Sequence, residues 1–391
     1  MRKLALLSLL VAIVLPASAA QRVTLEQLQQ VLASIHGESD ANAAKKLASL
    51  ELTERASFTR LTRWEAELPG PEARQALAAL VDVSAFLDPP ANELPAMETP
   101  DLDAQRRIMA AVADYVSKTI PKLPNFFATR RTIRFEDWPF NYLAMGMVPI
   151  RYIPLHVVAE SSATVLYRDG REVVDAEPVV MDRKSSRRGG GLSTWGVFGP
   201  ILGIVLVDAG QSKLSWSHWE QGEAGPLAVF RYQVPQDKSH YEVKWCCMYG
   251  SKNADEIQRI SGYHGEMAVD PENGAILRLS VIADPEIKTL SRLNEISDLK
   301  EEVPISVANM MVEYAPVEVG GKSFICPVKS VSLSRARMPV IGQGESGPSI
   351  ELGPEKTMLN DVAFGNYHQF RGETRILTED SAKPDGNQPE P

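Results

Sequence analysis

Six histidines and three cysteines are the side chains of this sequence with most chemistry to offer, and their spacing limits what they can do. The histidines are His36, His156, His218, His240, His264 and His368. None forms an H-E-x-x-H string or a pair at ligand spacing, so no metalloprotease site is expected. His218 lies in Trp216-Ser217-His218-Trp219-Glu220 and His264 in Tyr263-His264-Gly265-Glu266. There an imidazole oriented by a carboxylate could act as a general base. Aromatic strand packing around hydrogen-bonded imidazoles is the simpler expectation. Asp169, Glu266, Asp270 and Glu313 are likewise expected in turns and on surfaces rather than as an acid-base pair. Gly321-Lys322-Ser323 ends like a phosphate-binding loop, but Pro316 stands where the first glycine is needed. Gly344-Glu345-Ser346-Gly347-Pro348 resembles a nucleophile elbow without the strand-to-helix context. No catalytic residue, metal ligand or cofactor is therefore expected, and a hydrolase using His218 or His264 ranks last among the functional readings.

Cys246 and Cys247 are adjacent, and Cys326 follows about eighty residues later. Consecutive strand residues point to opposite faces, so one of the pair can meet Cys326 across a sheet. A disulfide from Cys326 to Cys246 or Cys247 is expected; three buried free thiols and a vicinal bridge are the alternatives.

The compartment follows from the first twenty residues. Met1-Arg2-Lys3 is positive, an apolar run of about a dozen residues follows, and Pro16-Ala17-Ser18-Ala19-Ala20 offers small residues to a peptidase. The pattern predicts a signal peptide over 1–20, cleaved after Ala19 or Ala20, and a periplasmic or secreted protein. The apolar run is too short to span a bilayer, and no later segment approaches the ~20 apolar residues required, so an integral membrane protein is not expected. Loss of Arg2 and Lys3 takes the formal charge from −9 to −11, which argues against nucleic acid partners.

The elements that must position these residues divide into two halves. Over 21–120 apolar residues recur at helical spacing: Leu25, Leu28, Val31, Leu32 and Ile35 form one stripe, opened by the capping box of Thr24 and Gln27. Further helices are predicted from Asp40, after Thr53, from Pro71 and from Asp103, the last carrying Ile108, Val112 and Tyr115 toward the others in an antiparallel helical domain. Over 124–378 the pattern turns to β, with two-residue turns at Asp169-Gly170, Asn273-Gly274 and Gly320-Gly321. The segments 287–303 and 339–355 are predicted as a charged stretch and a loop, and 379–391 as a disordered tail. The fold class expected is α+β: a helical domain, then an antiparallel, strongly curved sheet.

Two stretches carry binding hypotheses. Arg183, Lys184, Arg187 and Arg188 precede three glycines and form a cationic loop, either a solvated connector or a contact for anionic lipid or an acidic partner. Leu192 to Asp208 is largely apolar and broken by glycines. It is either a buried helix and strand or one wall of an apolar cavity, with Trp195, Phe198, Ile201 and Leu202, together with Trp216 and Trp219, facing a lipid or acyl ligand.

The β half, in the order LPNFFATRRTIRF, YRDG, WGVFGPILGIVLVDAGQSKLSW, YHGEMAVDPENGAILRL and VEYAPVEVGGKSFICPVKSV, resembles the LolA and RseB-like superfamily of periplasmic lipoprotein-carrier proteins. The resemblance covers 124–377 and rests on turn and strand signatures. It implies an unclosed β-barrel with an internal helix layer and an apolar concave face able to shield acyl chains. The whole chain also resembles exported proteins of the acidobacterial type, whose N-terminal half shares the LELTER and PG punctuation. The function expected is that of an exported, non-enzymatic binding or carrier protein for a hydrophobic ligand, its partners being a lipid or an acylated protein. The alternative is a periplasmic protein-interaction or sensing module that binds an envelope protein and no small molecule.

Overall fold

In the computed structural model of the protein, residues 20–138, 152–180, 191–193, 195–246, 257–284, 305–344 and 347–370 are described. The leader, the four cations of the arginine loop, Cys247, the Cys246 side chain, the segment 287–303 and the tail lie outside them.

The N-terminal lobe holds β1 (Gln21–Val23), α1 (Leu25–Ile35), α2 (Asp40–Leu47), β2 (Leu50–Leu52), α3 (Phe58–Glu65) and α4 (Pro71–Val83). The Thr24 and Gln27 capping box forms as expected. A second cap comes from a distance: the Asp40 carboxylate accepts the Glu72 and Ala73 amides at 3.0 and 2.8 Å and so caps α4. Gly70 is needed there, because a Cβ would fall 2.3 Å from Asp40 Oδ2. Leu28, Ile35, Leu47, Leu61 and Leu77 fill the lobe core. The parallel pairing of β1 with β2 was not expected from a helical pattern; these segments are too short to show an alternation.

Two 3-10 turns, Ser84–Phe86 and Ala91–Glu93, and an extended connection lead to α5 (Leu102–Asp114). The sequence placed α5 with the preceding helices. The structure instead packs Ile108 and Val112 into the core of the sheet, with Phe126, Phe230 and Val269. The stripe of α5 is apolar enough to need a partner, but helical spacing does not say which one.

The sheet comprises β3 (Phe126–Trp138), β4 (Ile153–Arg168), β5 (Arg171–Val180), β7 (Lys213–Gln221), β8 (Pro226–Val234), β11 (Gly262–Val269), β12 (Ile276–Asp284), β13 (Ile305–Val319), β14 (Lys322–Gly344) and β15 (Gly347–Gln369). Their order is β5-β4-β3-β15-β14-β13-β12-β11-β8-β7, every neighbouring pair being antiparallel. A small sheet of β6 (Gly191–Leu192), β9 (Glu242–Cys246) and β10 (Ile257–Ile260) and the helix α6 (Pro200–Gly210) pack against it. The two-residue turns expected at Asp169-Gly170 and Gly320-Gly321 are present, whereas Asn273-Gly274 belongs to a longer loop over 270–275 between β11 and β12, and the stretch expected as a loop at 339–355 is the end of the β14–β15 hairpin. Pro339 and Pro348 hid that pairing from the sequence.

Ten strands laid flat would extend about 43 Å across. Yet Phe198, next to α6, lies 6.2 Å from Tyr167 on β4, while α6, only eleven residues and so about 16 Å long, also reaches β7 and β8 at the far edge. The sheet must therefore curl around α6, and it does not close, since β5 and β7 remain edges. This gives it an inner face, holding α5, α6 and the small sheet, and an outer face on which α4 packs through Ala79 against Phe135, Val331, Leu333 and Leu359.

Candidate functional site

The inner face receives most of the residues singled out by the sequence. Phe198, Ile201 and Leu202 are buried in the main core. Phe198 sits in an aromatic nest 5.6 Å from Phe126 and 5.3 Å from Phe364. Trp195 is half-buried, stacks on Tyr241 at 6.4 Å and donates its indole hydrogen to the Glu242 carbonyl at 3.1 Å, with Lys244 above the ring. Trp216 and Trp219 meet at 5.0 Å on β7, and Trp219 donates to the Glu98 carbonyl at 2.8 Å. Six residues expected to line one wall thus share one core, where Phe198, Ile201 and Leu202 fill it rather than border an open space.

The segment around them departs from the usual helix pattern. Residues 200–210, PILGIVLVDAG, are apolar nearly all round, the composition of a helix covered on every side. Only Ile201, Leu202, Val205, Asp208 and Ala209 are buried; Ile204 and Leu206 are half-buried, and Val207 is 53% exposed. Its polar end is anchored by Asp208, whose side chain is wholly buried. That carboxylate accepts the His240 amide at 2.8 Å and the Tyr263 hydroxyl at 2.9 Å, and meets His240 Nδ1 at 2.5 Å. No local pattern announces this trio, because its other members are 32 and 55 residues from Asp208.

The outer face holds the acid-base candidates and separates them. Glu220 is clasped by Arg278 in a two-pronged pair at 2.5 and 2.7 Å and by Arg55 of the N-terminal lobe at 2.6 Å. Burial pushes Glu220 up, but its contacts with His218 and Arg278 and the charges of Arg278 and Arg55 outweigh it and hold the carboxyl well below the usual carboxylate range. A carboxylate so neutralised is a poor proton acceptor. His218 bonds to Ser217 through Nδ1 at 2.8 Å, and its Nε2 stays 3.6 Å from Glu220. His264 instead lines a polar groove of about 600 Å³ between the lobe and the sheet, with Lys213, Arg231 and Glu266. Arg231 spans it, bonding Glu266 at 2.7 Å and Asp88 at 3.3 Å. Cys326 is buried with a free thiol, which burial pushes up to about 12. Its expected disulfide partners lie outside the described residues.

A second buried charge cluster ties α4 to the sheet. Lys329 lies 2.9 Å from Asp82 and 2.8 Å from Asp361, beneath the Phe58 ring. Among the described residues, no group of three His, Cys, Asp or Glu could hold a metal ion, and no helix is long and apolar enough to cross a membrane.

No family model matches the chain, and no curated protein matches it. Among solved structures the chain is similar to a LolA superfamily protein, NE2245 from Nitrosomonas europaea. The two are 10% identical, with a TM-score of 0.24, over 71% of this chain and 98% of that one. So slight an overlap transfers no activity, and the fold described above stands on the strand order of this chain alone.

Proposed function

We propose that this is an exported binding or carrier protein for a hydrophobic, lipid or acyl ligand, held on the inner face of the curved sheet with α6 as the element it displaces or extends. The observation that carries this reading is the mismatch on α6: apolar around its circumference, yet sealed on one side only, with Val207 more than half exposed. An apolar ligand laid against Ile204, Leu206 and Val207 would remove that surface from water, at about 25 cal/mol for each Å² covered. Trp195 and Phe198 then shape the floor beneath the ligand rather than touch it throughout.

The test is native mass spectrometry of residues 21–391, exported to a bacterial periplasm and purified without detergent, with organic extraction of what is bound. The expected result is a stoichiometric acylated species, lost in Val207→Asp, whose exposed position leaves the core intact. An apo mass in every preparation, together with no uptake of a fluorescent fatty acid by the wild type, would remove the reading.

A second reading, a protein-interaction module of the envelope, draws on the groove. Its walls come from both the lobe and the sheet and carry both signs of charge, an arrangement suited to a polypeptide partner more than to an acyl chain. Charge reversal at Lys213 that abolishes capture of an envelope protein, without touching lipid content, would favour it.

A further inference from the structure

The lobe covers one end of the outer face and leaves the other open. It packs around Phe135, eight residues and so about 27 Å along β3 from Phe127. At the Phe127 end the register lines up Val173 on β5, Leu166 on β4, Phe127 on β3 and His368 on β15, each directly opposite the next. Their chain neighbours Phe126, Val165 and Tyr167 belong to the inner core, so the row points outward. Phe370 extends it, its ring meeting Phe127 edge-on at 5.3 Å. Asn125 fixes this end of the sheet: its carbonyl accepts the Phe370 amide at 2.9 Å and its side chain accepts the Asp169 amide at 3.0 Å. Val173 and Phe370 are 46% and 39% exposed, and Leu166 and Phe127 are half-buried. Four apolar side chains thus lie side by side at the rim.

Beyond this row stands an unbalanced charge pair. Arg168 and Arg171 are directly opposite each other where the Asp169-Gly170 turn closes, on the same face as Leu166 and Val173. Like charges so placed repel. Asp169, 3.5 Å from Arg168, offsets part of this, but no hydrogen bond or ion pair to the Arg171 guanidinium is found among the described residues. The rim therefore carries a spare cation in a chain whose formal charge is −9. A cover for it has to be apolar and anionic together. A second copy of the chain would bring four arginines into one contact. A polypeptide would set its amides against Val173, Leu166, Phe127 and Phe370, which offer carbon only. Acyl chains beneath phosphate head groups meet both conditions, because arginine stems lie along apolar surface while their guanidiniums reach the phosphates.

We infer that this end of the outer face docks on the surface of an anionic lipid bilayer. Val173, Leu166, Phe127 and Phe370 enter the head-group boundary, and Arg168 and Arg171 pair with lipid phosphates. The surface lies on the opposite side of the sheet from the proposed ligand, and the inference does not rest on a ligand being held there.

The test is co-sedimentation of residues 21–391 with vesicles of phosphatidylcholine mixed with phosphatidylglycerol, against vesicles of phosphatidylcholine alone. The expected result is binding to the anionic vesicles, weakened about fivefold by Arg171→Gln and more than about twentyfold when Arg168→Gln is added. Val173→Asp weakens it as well, whereas Asp169→Asn, which suits the left-handed turn position at φ 52°, strengthens it. All four positions are exposed, so the variants are expected to melt with the wild type. Unchanged affinity in the double arginine variant, equal binding to the neutral vesicles, or no binding to either would overturn the inference. Three further outcomes would overturn the membrane assignment by naming another occupant: binding that appears only after removal of 371–391, a dimer that is lost in Val173→Asp, or polyglutamate held as tightly as the vesicles.

Discussion

Two buried charge clusters fasten the N-terminal lobe to the outer face of the sheet, and they are built with opposite signs. At the β7 edge one carboxylate, Glu220, lies between two guanidiniums, Arg55 and Arg278. Nearer the middle one ammonium, Lys329, lies between two carboxylates, Asp82 and Asp361. The first has a cation to spare, with the half-buried Glu313, paired across strands with Arg278, close enough to offset part of it. The second has an anion to spare, and one oxygen of Asp82 has no hydrogen-bond partner among the described residues. The difference teaches how each responds to protons. Glu220 is held low, so its contribution is present above the usual glutamate pKa and is lost as the pH falls toward its depressed folded value. Asp82 is held high, and its response runs the other way.

The sharpest way to break the comparison is to remove the shared ion of the first cluster. Glu220→Ala leaves Arg55 and Arg278 facing each other in a buried site, and the expected loss is about 3–5 kcal/mol. Urea unfolding at pH 7 measures it. A loss under about 1 kcal/mol would mean that water already reaches the cluster and that the lobe is held by Ala79 and its apolar neighbours alone. Leu202→Ala, on the inner face, should cost about 2–5 kcal/mol, a range set by how far the core collapses into the space. Its cost should not vary between pH 5 and 9 or with salt, whereas that of Glu220→Ala should fall with added salt, since anions can then screen the arginines. If both costs move together with salt, the two faces are not independent.

The parts of this fold that depend on local spacing were legible in the sequence. The capping box at Thr24, the proline-led start of α4 and the turns at Asp169-Gly170 and Gly320-Gly321 each need only neighbouring residues, and each is where the pattern put it. The parts that depend on long-range pairing were not. The two charge clusters join residues 32 to 247 positions apart, yet each left a trace that could have been used: Asp82 within ALAALVDV, Arg278 within AILRLSV and Lys329 within PVKSVSL are single charges in apolar runs. A lone charge in a segment that must be buried demands a partner of opposite sign. What the run cannot supply is the partner's address. The candidate site divides the same way. The apolar run before Asp208 was recognised, but its close packing on one side and exposure on the other come from the curl of the sheet. The serines of β14 read as ordinary alternation until β6 is seen to cover them.

The smallest expected effect at low pH sharpens the comparison most, because it grows as the pH rises. Burial pushes Asp82 up, the charge of Asp361 adds to that, and Lys329 opposes both, leaving the carboxyl at about 8 against an ordinary 3.8. A folded-state pKa above the unfolded one means that the folded chain holds the proton more tightly. The contribution of Asp82 is then fully present below about pH 4 and declines steadily until pH 8, beyond which it is gone. Asp82→Asn mimics the protonated side chain at every pH and leaves Lys329 its pair with Asp361. It should match the wild type to within about 1 kcal/mol at pH 4 and exceed its stability at pH 8.5, by on the order of 1 kcal/mol or more. Thermal melts at the two pH values decide it. A variant less stable than the wild type at pH 8.5 would show that Asp82 is ionised and needed as such by Lys329, and the two clusters would then respond to alkali alike.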